Sequence, residues 1–231
     1  MDMKEIVEKT EYVIKEEKRR EFEEYRKLLL EYNEKYNLTT ILEEKDMYYK
    51  HFLDSAIGAF LFEENKSVLE VGSGAGFPSM VLKIIKPSLN FTLIESVGKK
   101  CEFLKVLVEK LGFSGVNIYN IRAEDGARRE DLREKFDYAT ARAVARMNSL
   151  SEYCLPFVKV GGKFIAYKSG EKEELFEADS AYKALGAKRE KIIEYALPEN
   201  YGERTLAVIE KVKKTDKRYP RGQGKERKQP L

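Results

Sequence analysis

The densest run of residues that could do chemistry is Glu70-Val71-Gly72-Ser73-Gly74-Ala75-Gly76-Phe77-Pro78. Its glycines let the backbone bend sharply and let a ligand lie against the amides without meeting a Cβ. The spacing is G-x-G-x-G, and it fails the dinucleotide fingerprint G-x-G-x-x-G in both registers. The sixth position from Gly72 is Phe77, and the sixth from Gly74 is Ser79. No Lys-Ser/Thr follows, so a P-loop is excluded too. Nothing here needs to cradle a diphosphate. A zwitterionic amino-acid group joined to an adenosine fits better, with Glu70 towards the ammonium and the amides of Gly72, Gly74 and Gly76 towards the rest.

Two further features strengthen that reading. Glu95 lies 19 residues beyond Gly76 at the end of the next β-rich run, where an acid can accept both ribose hydroxyls. Arg122-Ala123-Glu124-Asp125 follows the run after that, at the place where an adenine would meet a backbone amide and a carboxylate. Each acid alone reads equally well as a surface group or a helix cap. Together, at the ends of successive strands, these features point to S-adenosylmethionine, and hence to methyl transfer.

The acceptor is read by elimination. An Asp/Asn-Pro-Pro-aromatic motif would suit an exocyclic amine, but Thr140-Ala141-Arg142-Ala143 stands in its place. Attack on a pyrimidine carbon needs a thiolate, and Cys154 falls in a helical pattern as a packing residue. The single histidine, His51, reads as structural. With neither base nor nucleophile in evidence, an acceptor with a free in-plane lone pair, such as guanine N7, is expected, and catalysis then rests on alignment.

The elements that must position these residues follow from periodicity. Apolar residues from Ile6 to Tyr36 recur at helical spacing over about 3–36, and another helix is expected over 46–62. Strands are expected at 67–71, 91–95, 116–121, 136–141, 163–168, 188–195 and 204–212. Helices are expected between the earlier strands, at 78–85, 99–111, 148–157 and 171–185. Strand–helix alternation predicts an α/β fold with a mostly parallel sheet, and the last two strands predict an antiparallel edge hairpin. The chain thus divides into an N-terminal helical extension (1–62), a cofactor-binding core (63–212) and a basic tail (213–231).

The chain has 231 residues, 42% hydrophobic and 36% charged, enough for a sizeable core. Its two cysteines belong to no Cys-x-x-Cys pair, which suits a reducing compartment and gives no metal site. The first twenty residues lack a signal-peptide core, and no apolar run is long enough to cross a membrane. A cytoplasmic monomer without metal is expected. Net charge is only +3, yet 211–231 holds nine Lys/Arg and two Asp/Glu, a local +7 that leaves −4 for the rest. A basic tail on an acidic body suggests a polyanionic partner.

Several short runs resemble a known family, the bacterial 16S ribosomal RNA guanine-N7 methyltransferases, also called glucose-inhibited division protein B. They are Asn37-Leu38-Thr39, His51-Phe52-Leu53-Asp54-Ser55, the glycine loop through Gly76-Phe77-Pro78, Arg122-Ala123-Glu124, Ala141-Arg142-Ala143, Gly161-Gly162-Lys163 and Tyr219-Pro220-Arg221. The resemblance implies a Rossmann-like class I methyltransferase acting on one guanosine in the decoding-region loop of small-subunit rRNA, or of its ribonucleoprotein. By position it places Gly72 and Phe77 against the cofactor, Ala123 and Glu124 against its adenosine, and Arg142 at the active-site mouth as the catalytic residue. Glu70 stands where the family usually has aspartate, Ser79 and Ser169 replace glycines, and Glu226 replaces a tail proline. RNA contacts are expected from Arg122, Arg146 and Lys168 near the pocket and from Lys213, Lys214, Arg218 and Arg221 in the tail. Tyr219 either stacks on a base or docks the tail on the sheet.

Overall fold

A computed structural model describes residues 2–169 and 173–231. Its seven strands are β1 (Ser67–Val71), β2 (Asn90–Ile94), β3 (Val116–Tyr119), β4 (Phe136–Arg142), β5 (Val158–Lys168), β6 (Ala187–Ala196) and β7 (Glu203–Lys211). They form one sheet in the order β3-β2-β1-β4-β5-β7-β6. The first five are parallel, and β7 runs antiparallel to both β5 and β6. This is the expected mostly parallel sheet with an edge hairpin. The order reverses between β1 and β4, and that is the crevice where such sheets take ligands.

Helices α1 (Met3–Tyr12) and α2 (Arg19–Tyr36) are joined by a π-helical turn, Val13–Glu17. The helix expected over 46–62 is broken into α3 (Glu44–Met47), a π-helical turn Tyr48–Leu53, α4 (Asp54–Ile57) and a 3-10 turn. Then come α5 (Ser79–Ile85), α6 (Gly98–Lys110), the one-turn α7 (Ala123–Gly126), α8 (Met147–Cys154), α9 (Glu173–Glu177), α10 (Asp179–Ala184) and, in the tail, the one-turn α11 (Lys225–Lys228). The first two residues of the helix expected over 171–185 lie outside the described residues, and the remainder is two short helices.

Side chains alternate across each strand, so the sheet has two cores. Val68, Phe91, Tyr138, Ile165 and Tyr167 face Ile6, Phe22, Tyr25, Leu28, Phe52 and Ile57 of the N-terminal helices. Leu69, Val71, Ile94, Ala139, Ala141 and Phe164 face Ala127, Leu150, Tyr153, Tyr182 and Tyr219 on the other side. The N-terminal extension therefore covers one face, and the tail packs on the other. This two-faced arrangement decides where each site residue ends up.

Candidate functional site

Two cavities open near the carboxyl ends of the strands. One, of about 260 Å³, is lined by Val71 and Gly72 after β1, Ser96 after β2, Arg122, Ala123 and Glu124 after β3, Val144 after β4, and Gly224 and Arg227 of the tail. The other, of about 320 Å³, is lined by Lys50, His51 and Asp54 from the N-terminal helices, Arg142 and Ala143 from the end of β4, Lys168 and Ser169 from β5, and Arg204 from β7. Ala143 lines one cavity and Val144 the other, so the turn after β4 stands between them. Ala143 turns that corner at φ +56°. Lys168 Nζ donates to the Ala145 carbonyl at 3.1 Å and Arg227 Nη2 to that of Val144 at 3.3 Å.

In the first cavity the glycine loop is shaped by two close approaches. Gly72 has φ +70°, and a Cβ there would come within 2.8 Å of Val144 Cγ2. Gly76 has φ +96°, and a Cβ there would sit 2.7 Å from the Tyr25 hydroxyl, which itself donates to the Ala75 carbonyl at 2.6 Å. Gly72 is thus a glycine for the cavity, and Gly76 one for packing under the loop. Gly74 leaves an open face, since a Cβ there would meet only the Gly72 carbonyl oxygen, at 3.9 Å.

The two acids differ from expectation in an instructive way. Glu95 is buried and accepts from the Gly74 amide at 2.9 Å and the Val97 amide at 2.8 Å. It braces the loop, and each carboxylate oxygen keeps a lone pair for another donor. Glu70 is fully buried and accepts from the Ser79 amide at 3.2 Å, beneath the loop. It does not line the cavity, because alternation sends Val71 to that face and Glu70 to the opposite one. Burial pushes its carboxyl up to about 8, and its second oxygen has no partner among the described residues. Glu70 therefore supports the loop from below rather than meeting the ligand, whereas the open face at Gly74 leaves the loop's upper side free to receive one.

The second cavity is built around a charged network. Arg142 Nη1 donates to the Lys50 carbonyl at 2.8 Å and to Asp54 at 3.1 Å, and Nη2 reaches His51 Nδ1 at 3.1 Å. Asp54 also accepts from the Tyr195 hydroxyl at 2.8 Å and lies 3.5 Å from Arg204. Arginine has no acceptor, so His51 Nδ1 must accept, and the ring proton sits on Nε2, 2.9 Å from Thr39 Oγ1. Burial and the neighbouring Arg142 charge push the imidazole down to about 3. The ring stacks on Phe77 at 4.4 Å, and the Arg142 guanidinium lies 5.1 Å over the same Phe77 ring. His51 is therefore neutral, with its lone pair already engaged. Cys154 is fully buried, its thiol raised well above the usual range by burial, and Cys101 is buried too. Neither is a nucleophile in this pocket.

The family model GidB, rRNA small subunit methyltransferase G, matches residues 18–201. The chain belongs to this family. A relative from Lactobacillus johnsonii, named Ribosomal RNA small subunit methyltransferase G, is 45% identical over 225 residues, covering 95% of this chain and 94% of its own. Another of that name, from Brevibacillus brevis, is 48% identical over 214 residues, covering 91% and 90%. Among solved structures, M. jannaschii TYW2 in complex with AdoMet is 14% identical with a TM-score of 0.58, covering 75% of this chain and 80% of its own. A SAM-dependent O-methyltransferase from Thermotoga maritima is 15% identical with a TM-score of 0.55, covering 81% and 73%. The fold is thus the Rossmann-like class I methyltransferase fold, and the chain is an S-adenosylmethionine-dependent methyltransferase.

Of the residues expected in this methyltransferase's site, the structure brings Gly72, Arg122, Ala123 and Glu124 into the first cavity and Arg142 and Lys168 into the second. Phe77 lines neither; it is buried as the platform beneath His51 and Arg142 and stacks on Tyr25 at 5.2 Å. Arg142 lies on the face away from the first cavity, so a direct cofactor contact is not prepared. Arg146, 67% exposed, pairs with Glu177 at 3.2 Å, and Lys168 pairs with Glu174 at 2.6 Å.

The tail needs the largest correction. Tyr219 is buried in the core on the tail side of the sheet, so of the two readings docking holds and base stacking does not. Arg221 grips the fully buried Glu152 with paired bonds at 2.8 and 3.0 Å. Arg133 fastens the same stretch by donating to the carbonyls of Thr215, Asp216 and Tyr219. Lys213, Lys214 and Arg218 lie beside Glu134, which precedes β4, and so sit at the opposite end of the strand from Arg142. They are outside both cavities. Asp54, Tyr195 and Arg204 were missed, because no local spacing links residues that meet only when β6 and β7 fold beside β5. The run His51-Phe52-Leu53-Asp54, with His51 and Asp54 three apart on a helical path, was the one available sign.

Proposed function

We propose that this enzyme methylates N7 of a guanosine in the decoding-region loop of 16S rRNA, acting in the cytoplasm. The observation that carries this reading is the pair of cavities meeting at the turn Ala143–Val144, one suited to an adenosyl amino acid and the other lined by cations. In the first, the residues that would hold S-adenosylmethionine are the amides of Gly72 and Gly74, Glu95 for the ribose, and Ala123 and Glu124 for the adenine. When bound, the cofactor supplies an electrophilic methyl group.

The second cavity does the rest by holding the base. Three of the five N–H groups of Arg142 are taken by Lys50, Asp54 and His51, which leaves two for the acceptor. Arginine commonly reads guanine at O6 and N7; here N7 must stay open, so O6 and a neighbouring phosphate are the partners we assign to Arg142, with Lys50, Lys168 and Arg204 around them. N7 carries an in-plane lone pair at neutral pH and no proton to lose. Its methylation therefore asks for no base, which agrees with a neutral His51 whose lone pair is engaged and an Asp54 held between two arginines. Orientation carries the rate, as expected for a positioned pair of reactants. Reaching the base in folded RNA means extruding it unless it is already unpaired.

The test is to map 7-methylguanosine in small-subunit rRNA from cells with and without the gene, and to restore it with the purified enzyme and labelled donor. A methyl group found on another atom of the same base would replace the N7 assignment. No transfer by an enzyme shown to bind the donor would remove the catalytic reading.

A further inference from the structure

The basic groove at the amino end of β4, opposite the acceptor pocket, takes no part in the proposed reaction. It has a volume of about 810 Å³; six cations, Lys183 at the end of α10, Arg133 before β4, and Lys213, Lys214, Lys217 and Arg218 after β7, line it against three acids, Glu130, Glu134 and Asp216, the last of which pairs with Arg218 at 3.9 Å. Arg133 is spent on tail carbonyls, and Glu134 accepts from Lys211 and the Thr215 amide. Lys183, Lys213, Lys214 and Lys217 are all exposed. Among the described residues none of these four lies within ion-pair distance of a carboxylate, whereas Arg142, Arg146, Lys168, Arg204 and Arg221 all do. The backbone that carries them is not loose. Thr215 donates to the Leu185 carbonyl at 2.7 Å, and the amides of Val212 and Lys213 both donate to the Gly186 carbonyl at 2.9 Å. Gly186 can supply that carbonyl because it sits at φ +79° with the Lys213 backbone 2.4 Å from where a Cβ would be.

We propose that this groove is a second RNA-binding surface, which holds the phosphate backbone of a substrate segment remote from the methylated base. The inference rests on the rRNA reading above. Four exposed ammonium groups without ion pairs, on an anchored wall, suit phosphate oxygens, contacts that position a nucleic acid without reading its sequence. β4 is seven residues long and runs from the groove to Arg142, so groove and acceptor pocket are about 20 Å apart at ~3.3 Å per residue. At about 3.4 Å per nucleotide along a helical strand, the intervening RNA is at least about six nucleotides. Only a substrate large enough to pass around the sheet can occupy both sites, so the groove selects a folded RNA domain over the isolated loop.

The experiment uses the full chain with Lys183→Gln, Lys213→Gln, Lys214→Gln and Lys217→Gln combined. Kd is measured for a short hairpin carrying only the target loop, for a naked fragment of about 100 nucleotides around it, and for the small-subunit particle. The variant should bind the long fragment and the particle about tenfold more weakly, and the slope of log Kd against log salt should fall by up to ~3, close to one per lost phosphate contact. Binding of the short hairpin and of the donor should match the parent. An equal loss on the short hairpin would place the lysines beside the active site and overturn the proposal. A loss on the particle alone would mean that the groove meets a protein, and overturns it as well; so would no loss anywhere. If the parent itself binds and methylates none of the three RNAs, it is the rRNA reading that fails.

Discussion

The two ends of the sheet carry positive charge in opposite ways. At the carboxyl ends of the parallel strands every cation near the acceptor pocket is tied to a carboxylate: Arg142 and Arg204 to Asp54, Lys168 to Glu174, Lys50 to Asp46. At the other end Lys183, Lys213, Lys214 and Lys217 stand in solvent with no carboxylate partner among the described residues. The difference follows from what each end must do. A buried or half-buried guanidinium needs a partner to offset desolvation, and the partner also fixes its direction. Exposed ammonium groups stay hydrated and cost little to leave unpaired, and they remain available to a polyanion through an attraction that weakens as salt rises. The pocket is built for position, and the opposite end for reach.

The comparison breaks first at Asp54. Its carboxylate is buried and serves Arg142, Arg204 and Tyr195 together. Asp54→Ala strands two arginines in a poorly solvated site, a change that costs about 3–5 kcal/mol. Unfolding followed by circular dichroism should show Tm lower by roughly 6–20 °C for a chain of this size. A drop of only a degree or two would mean that water, and not Asp54, compensates these arginines. Asp54→Asn restores the shape without the charge and should recover part of the stability while leaving turnover low.

Arg142→Ala comes next and acts on rate more than on fold, because Asp54 keeps Arg204 and Tyr195 as partners. Turnover at saturating substrates should fall about 100-fold, the scale of a lost orienting contact, with the melting point moved far less. A single-turnover assay reading an unchanged rate would strike Arg142 from the active site. On the cofactor side, Glu95→Ala removes one acceptor for the ribose and the brace on the Gly74 amide. Calorimetry should find donor affinity about tenfold weaker, in keeping with ~1.4 kcal/mol for one hydrogen-bonded group, and RNA affinity unaltered.

Periodicity made the sheet legible, and all seven strands lie within a few residues of where alternation put them, because each strand's pattern is a local record of which face is buried. β5 begins earlier than expected, at Val158, since Gly161 and Gly162 break the apolar run that marks a strand. The helix over 46–62 was read as continuous, and periodicity cannot show that Tyr48–Leu53 winds as a π-helix. The glycine loop was legible for the same local reason, including Gly72 and the residues 122–124. What escaped was anything that depends on which face a neighbour takes. Glu70 and Val71 are adjacent in sequence and sit on opposite sides of the sheet, so an acid beside the loop lies beneath it. The tail's charge count was right, but composition carries no information on where a docked segment runs, and Tyr219 and Arg221 were spent on fixing it.

The smallest effect concerns His51, the only histidine. In the folded chain its imidazole titrates near 3, held down first by burial and then by Arg142; unfolded, it titrates near 6.5. The unfolded state thus binds a proton that the native state refuses, so His51 costs no stability above about pH 6.5 and costs progressively more as pH falls towards 3. Glu70 runs the other way: its carboxyl is raised to about 8 by burial, so it penalises the fold as pH rises from the ordinary carboxylate range towards 8. His51→Asn keeps an acceptor towards Arg142 and removes the titration. Denaturation curves at pH 7 and 5.5 should therefore show the parent losing about 1 kcal/mol more than the variant over that interval. The two differing by the same amount at both pH values would mean that the ring takes up its proton as readily in the native state as in the unfolded one, and so is charged at pH 5.5. Arg142 would then face a cation, and the fixed, paired character assigned to the pocket would not hold.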